Sequence, residues 1–242
     1  MTNLTAKHFI ERLKTLQSDQ ELQKIQRYFK TGEGQYGHGD TFIGVKMGSL
    51  FALAKEFIGM PTDEIEKLLE SDIHEARAGA MSIIDKWSRE KKIPDDKRKE
   101  HFDLYIRRHD RINNWDLVDL GALNAIGNYL YDKPRDILYK LAVSDSIWER
   151  RTAILGTTYF IRKNDLDDTF KIAEILVNDK EDLIHKAVGW MLRFTGDKDM
   201  DRLKSFLDKY AAAMPRTMLR ASVEKLDKAG KEYYMKLGKV AK

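Results

Sequence analysis

The chain contains no cysteine. That removes disulfide frameworks, thiolate zinc sites, iron–sulfur clusters and every cysteine-nucleophile mechanism. Turn-making residues are also scarce, with four prolines and fifteen glycines in 242 residues, few for an all-β or low-complexity chain. No stretch approaches 18 uncharged apolar residues, so no transmembrane helix is expected. The opening stretch MTNLTAKHFIERLK carries charges every few positions and has no apolar core, so no secretory signal is expected either. The expected location is the cytoplasm. Charge of one sign is not in large excess: 43 Lys and Arg stand against 39 Asp and Glu, a net +4. Such a balance permits a polyanionic partner without demanding one.

What the sequence does have is helical periodicity. Phe9, Leu13 and Leu16 form one apolar stripe, and Leu22, Ile25, Tyr28 and Phe29 a second. Leu50, Leu53, Ala54 and Phe57 form a third, and Ile65, Leu68 and Leu69 a shorter one. All repeat at i, i+3, i+4 with Lys and Glu between them. Helix starts are legible at Pro61-Thr62-Asp63-Glu64, at Asp95-Asp96 after Pro94, at Asp136 after Pro134, and at Ser144-Asp145. No alternating strand and no Asn-Gly hairpin is evident. The pattern predicts about twelve to fourteen helices joined by short loops.

One loop departs from this pattern. Gly32, Gly34, Gly37, Gly39 and Gly44 fall within a short stretch and supply a third of all the glycines. Residues 32–37 match G-x-G-x-x-G literally. A dinucleotide site needs a strand before that string and a helix N-terminus to receive the pyrophosphate, and here an amphipathic helix precedes it. The P-loop ending Gly-Lys-Ser/Thr is also missing. A structured surface loop is the reading that remains.

A weak repeat runs through the chain. SDIHEARAGAMSII (71–84) and SDSIWERRTAIL (144–155) align with Glu75 over Glu149 and Arg77 over Arg151, an offset of 74 residues. KEDLIHKAVGWML (180–192) follows about half that distance later, and Trp115 precedes Trp148 by 33. Helix-pair repeats of similar length bury each pair against the next. The expected fold is therefore all-α, a superhelical stack of HEAT-like antiparallel helix pairs forming a single domain over residues 1–242, with a concave face for function.

The six histidines, at 8, 38, 74, 101, 109 and 185, form neither H-E-x-x-H nor the Glu-x-x-His pairs of a di-iron bundle. No metal and no cofactor is expected, and without a G-x-S-x-G elbow a nucleophilic triad has little support. The informative segment is INNWDLVD (112–119). On a helix, Trp115 and Asp119 are i, i+4 neighbours, so an indole and a carboxylate share one face. Asp116 falls nearer the first turn, and Asn113 or Asn114 can cap it. Alone, such a pair more often describes a core aromatic beside a hydrogen-bonded acid. Its recurrence with Trp148 and Arg151, and again with Lys186, Trp190 and Arg193, is what singles it out.

At these residues the chain resembles the DNA alkylation repair glycosylases of the AlkD type. The resemblance is carried by RYFKTGEGQYGHGDTFIGVK (27–46), INNWDLVD, SDSIWERRTAIL, LIHKAVGWMLR (183–193) and MPRTMLR (214–220), in that order. Relatives often have proline where this chain has Met47-Gly48. The resemblance implies a HEAT-like superhelix with a basic concave face that wraps double-stranded DNA carrying alkylated bases. It implies Asp119 as the catalytic carboxylate, Trp115, Trp190 and Tyr28 as lesion-binding aromatics, and Arg151 as a grip on the DNA backbone. Lys186 and Arg193 share the face of Trp190 and are expected to join Arg151 there. The implied reaction is excision of positively charged N3- or N7-alkylated purines in base excision repair, without full base extrusion. A monomer suffices, nucleoid-associated when bound, with no membrane partner. The alternative is a non-catalytic helical-repeat DNA-binding module.

Overall fold

The computed structural model describes residues 4–33 and 35–240. Residues 1–3 of the charged N-terminal stretch and Gly34 of the glycine-rich string lie outside the described residues. The chain divides into two compact units, residues 1–129 and 130–242.

The first unit contains α1 (Ala6–Lys14), α2 (Asp19–Tyr28), α3 (Met47–Glu56), α4 (Thr62–Leu69), α5 (His74–Ser88), α6 (Asp95–Arg107), α7 (Trp115–Gly121) and a π-helical segment (Ala122–Asn128). The second contains α8 (Asp136–Ala142), α9 (Ile147–Gly156), α10 (Thr158–Arg162), α11 (Asp167–Leu176), α12 (Asp182–Gly196), α13 (Met200–Tyr210), α14 (Arg216–Ser222) and α15 (Lys228–Val240). Among the described residues there is no strand, only an isolated bridge between Thr41 and Ile73. The fold is an all-α helical repeat. More helices appear than the periodicity predicts because two long ones are interrupted. The π-helical segment continues α7 directly, and only Thr157 separates α9 from α10.

Helix starts follow the sequence signals closely. Pro61 and Pro94 stand at the N-caps of α4 and α6, with Asp63 and Glu64, and Asp95 and Asp96, in the positive first turn. Asn114 caps α7, its Oδ1 accepting the Trp115 amide at 2.8 Å. The start expected at Ser144-Asp145 falls later, at Ile147, because Ser144 Oγ accepts the Ser146 amide and holds a turn there.

α5 is the hub of the first unit. Thirteen of its fifteen residues are buried, and it packs against α1, α3, α4, α6, α7 and the π-helical segment. Ala76, Ala78, Gly79 and Ala80 keep it slim enough for neighbours on every side. α7 sits close as well: a Cβ on Gly121 would run into Met81 of α5 and stand 2.6 Å from the Tyr105 ring of α6. In the second unit α12 plays the corresponding part, packed against α9, α11, α13 and α14. The repeat read from sequence is visible here in one detail. Arg77 Nη1 donates to Asn113 Oδ1 at 2.9 Å, and Arg151 Nη1 to the Leu183 carbonyl at 2.7 Å. Each arginine ties its helix to the start of a later one.

Candidate active site

α2 has an apolar stripe but buries none of its residues completely. Ser18 caps it, accepting the Glu21 amide, so the helix is locally sound without a core to join. Its stripe forms one wall of a cleft of about 400 Å³ instead. Glu21, Lys24, Ile25, Tyr28 and Phe29 line that wall, Met47 of α3 contributes, and Trp115, Asp116, Asp119 and Leu120 of α7 face them. The second stripe read as helical packing is thus a cleft surface.

The described part of the glycine-rich loop leads from α2 to α3 and is tied down by the protein. Glu75, buried at the start of α5, is its anchor. Its carboxylate accepts the amides of Ile43 at 3.1 Å, Gly44 at 2.9 Å and Val45 at 3.2 Å. Gly44 has φ +78° and approaches the Ser18 carbonyl and Leu22 more closely than a Cβ would allow. Thr41 exchanges backbone hydrogen bonds with Asp72 and His74. The amides just before α3 that could meet a phosphate are therefore taken by the protein's own carboxylate, which agrees with setting the dinucleotide reading aside.

Pinned this way, the loop places Asp40 and Phe42 against the start of α5. Asp40 accepts from Arg77 through a short contact, from Asn114 Nδ2 at 3.0 Å and from His74 Nδ1 at 3.2 Å. His74 Nε2 stands 2.7 Å from Asp116 Oδ2. Burial alone would lower the His74 pKa, but hydrogen bonds to Asp116 and Asp40 outweigh it and raise the value to about 9. The imidazole is therefore a cation donating from both nitrogens at neutral pH. Burial pushes the Asp40 carboxyl up, and His74, Arg77 and Asn114 together bring it down to about 2.

Aromatic rings cover this network. Phe29 stacks on Trp115 with centroids 5.3 Å apart and planes at 17°, and Tyr28 meets the same indole edge-on at 5.6 Å. Phe29 and Phe42 also pack on the His74 ring, at 5.2 and 4.5 Å. Tyr28 is 69% exposed, and Asp119 is exposed. The cleft is lined mainly by aromatic and apolar side chains; of its carboxylates, Glu21 is paired with Lys24 at 3.3 Å and Asp116 with His74 at 2.7 Å.

Of the residues singled out from sequence, Tyr28, Trp115 and Asp119 come together on this cleft. The rest belong to the second unit. Trp190 is half-buried on α12 with the Arg151 guanidinium 5.8 Å from its ring. Lys186 is exposed and paired with Asp182 at 2.7 Å. Arg193 bonds Glu224 at 2.5 Å and lies over the Phe194 ring. Arg151 is 1% exposed, and its Nη1 donates to the Leu183 carbonyl, tying α9 to α12. Sequence reasoning missed Asp40, His74, Arg77 and the packing role of Phe29. The alignment of Arg77 with Arg151 was the one signal pointing to that region.

Among the described residues, no group of three or more His, Asp or Glu could hold a metal ion. No helix is long and apolar enough to cross a membrane.

Fold and cleft together define an all-α helical-repeat protein with an aromatic-lined cleft in its first unit. Residues 9–226 match the family described as DNA alkylation repair enzyme. The chain belongs to that family. A solved structure described as "Predicted DNA alkylation repair enzyme from Enterococcus faecalis" superposes with a TM-score of 0.68 at 16% identity, covering 88% of this chain and 97% of that one. That likeness is one of fold. No curated protein matches the sequence.

Proposed function

We propose that the protein is a DNA glycosylase that excises positively charged N3- or N7-alkylated purines from duplex DNA. The observation that carries this reading is the cleft that brings Tyr28, Trp115 and Asp119 together. An alkylated purine cation needs little protonation to leave. The enzyme must stabilise the oxocarbenium-like deoxyribose and supply a water, and one carboxylate serves both tasks, as in glycoside hydrolysis. Asp119 stabilises the developing charge at C1′ and takes a proton from the attacking water. The C1′–N bond breaks, its electron pair neutralises the purine, and the products are a free alkylpurine and an abasic site. Trp115 and Tyr28 contact the cationic nucleotide through their ring faces, at about 0.5–2 kcal/mol each.

In the second unit, Trp190, Lys186 and Arg193 contact the DNA backbone, the lysine and the arginine meeting phosphates. Arg151 supports Trp190 from below. The cleft is open rather than a closed socket, which favours reaction without full base extrusion and tolerance of bulky adducts. The protein acts as a monomer on double-stranded DNA, in the cytoplasm and at the nucleoid. Release of 7-methylguanine or 3-methyladenine from methylated duplex, lost in Asp119→Asn, tests the reading. Salt-sensitive DNA binding without release would make the protein a non-catalytic DNA-binding module.

A further inference from the structure

The second unit has a cleft of its own, of about 240 Å³, that the reaction above does not use. Thr158, Ile161 and Arg162 of α10 form one wall, and Phe194 of α12 with Asp197 and Lys198, just past that helix, form the other. Most of the polar groups here already have partners. Asp197 contacts Lys225, and the Thr158 hydroxyl donates to the Leu155 carbonyl at 2.6 Å. Arg162 and Lys198 differ. Both are exposed, and among the described residues neither side chain forms a hydrogen bond or an ion pair. A guanidinium fork and an ammonium thus line one cavity, and the only carboxylate in its wall is already matched by Lys225. A cation at a helix C-terminus is also favoured by the helix dipole, and that purely structural role is one outcome of the test. The position on α12 says which anion fits. Phe194 lies four residues beyond Trp190, and Asp197 four beyond Arg193, so the cleft continues the face of α12 that carries Lys186, Trp190 and Arg193. It begins about 6 Å further along the helix than Trp190.

We propose that this cleft takes a phosphate of the DNA backbone, held by Arg162 and Lys198. It rests on the reading above only in that duplex DNA is the partner. A phosphodiester offers acceptors alone and one negative charge, and a guanidinium matches two of its oxygens with parallel N–H donors, while the ammonium adds charge without fixing direction. Ile161 and Phe194 give the cleft apolar sides that strengthen both contacts. Binding here carries no base information. It positions the duplex along the face that bears Trp190.

The test measures affinity for an unmodified duplex between about 50 and 200 mM salt. It compares wild type, Arg162→Ala, Lys198→Ala, the double variant, and Lys171→Ala, which removes an exposed charge of α11 outside the cleft. Thermal melting is followed for each protein, with and without inorganic phosphate at fixed ionic strength. Each single variant should lower the salt slope by about one and the double variant by about two, with melting unchanged and the slope of Lys171→Ala equal to wild type. A wild-type slope in the double variant overturns the proposal, and lower melting with that slope assigns the two cations to the helix ends instead. An equal loss of slope in Lys171→Ala also overturns it, as an effect of net charge. So does stabilisation by inorganic phosphate that the double variant abolishes while its slope for duplex stays wild type, which makes the cleft a site for free anions. If the double variant melts below the assay temperature, Lys198→Ala decides, because Lys198 lies beyond the end of α12. The two readings fail differently. Base release with a salt slope indifferent to Arg162 and Lys198 defeats only this proposal. Duplex binding that depends on both residues, without base release, defeats only the glycosylase reading. Wild type that binds no duplex defeats both.

Discussion

Phe29 lies flat against Trp115, their planes 17° apart. The contact explains how an indole on a short helix is held at the edge of an open cleft: one face is stacked on protein, leaving the remainder for a ligand. Offset aromatic pairs of this kind are worth about 0.5–1.5 kcal/mol beyond the area they bury. Phe29→Leu should therefore keep the fold but loosen the indole. Excision should fall several-fold, and Trp115→Ala should fall further. Equal activity of Phe29→Leu and wild type in single-turnover assays would show that the stack does not position Trp115.

The glycine-rich loop makes a second prediction. Glu75 takes three consecutive amides, and Gly44 occupies a conformation that L side chains rarely adopt. Glu75→Gln replaces a charged acceptor that serves all three, and Gly44→Ala drives a methyl into the Ser18 carbonyl and Leu22. Each should cost about 2 kcal/mol or more, lowering the melting temperature by roughly 4–8 °C for a chain of this size. Melting curves that overlay wild type would contradict the anchoring role of Glu75.

The His74 network makes stability depend on pH at both ends. The folded pKa of His74 is raised to about 9 from 6.5, so its contribution is full below pH 6.5 and fades as pH rises through 9. Asp40 is lowered to about 2 from 3.8, so its contribution is full above pH 3.8 and fades as pH falls through 2. These two groups together favour maximum stability between about pH 4 and 6.5, with a change of order 2–3 kcal/mol across each limb. Thermal melts carried below that range on the acid side and through about pH 9 on the alkaline side would check it. His74→Gln should remove the alkaline limb, and persistence of that limb would assign it to other groups.

Much of this was legible in the sequence. The helical class follows from the i, i+3, i+4 stripes, and the Trp115–Asp119 pair follows from one turn of helix and the family resemblance. Other features were hidden because they depend on contacts between distant segments. Asp40 reaches Asn114 across 74 positions, and no local period marks that pairing. The stripe of α2 reads like any core stripe, since periodicity reports an apolar face but not whether another element covers it. The burial of Arg151 was hidden for a related reason: spacing places a guanidinium beside an indole but does not say which of them faces solvent.

The second unit yields a separate prediction. Lys186 is exposed, and its pairing with Asp182 is easily exchanged for a phosphate. Lys186→Ala should weaken duplex binding alike for methylated and unmethylated DNA and reduce the salt slope by about one. Arg151→Ala should instead lower the melting temperature, because it removes a buried tie between α9 and α12. An Arg151→Ala protein with unchanged melting and a shallower salt slope would return that residue to the role of a phosphate grip.

The central claim is tested most directly by measuring free 7-methylguanine released from methylated duplex DNA by wild type and by Asp119→Asn under single-turnover conditions. The account predicts release by wild type and a loss of about 10²–10⁴-fold in the variant, with duplex affinity retained. No release by folded, DNA-binding wild-type protein above the Asp119→Asn background would contradict it.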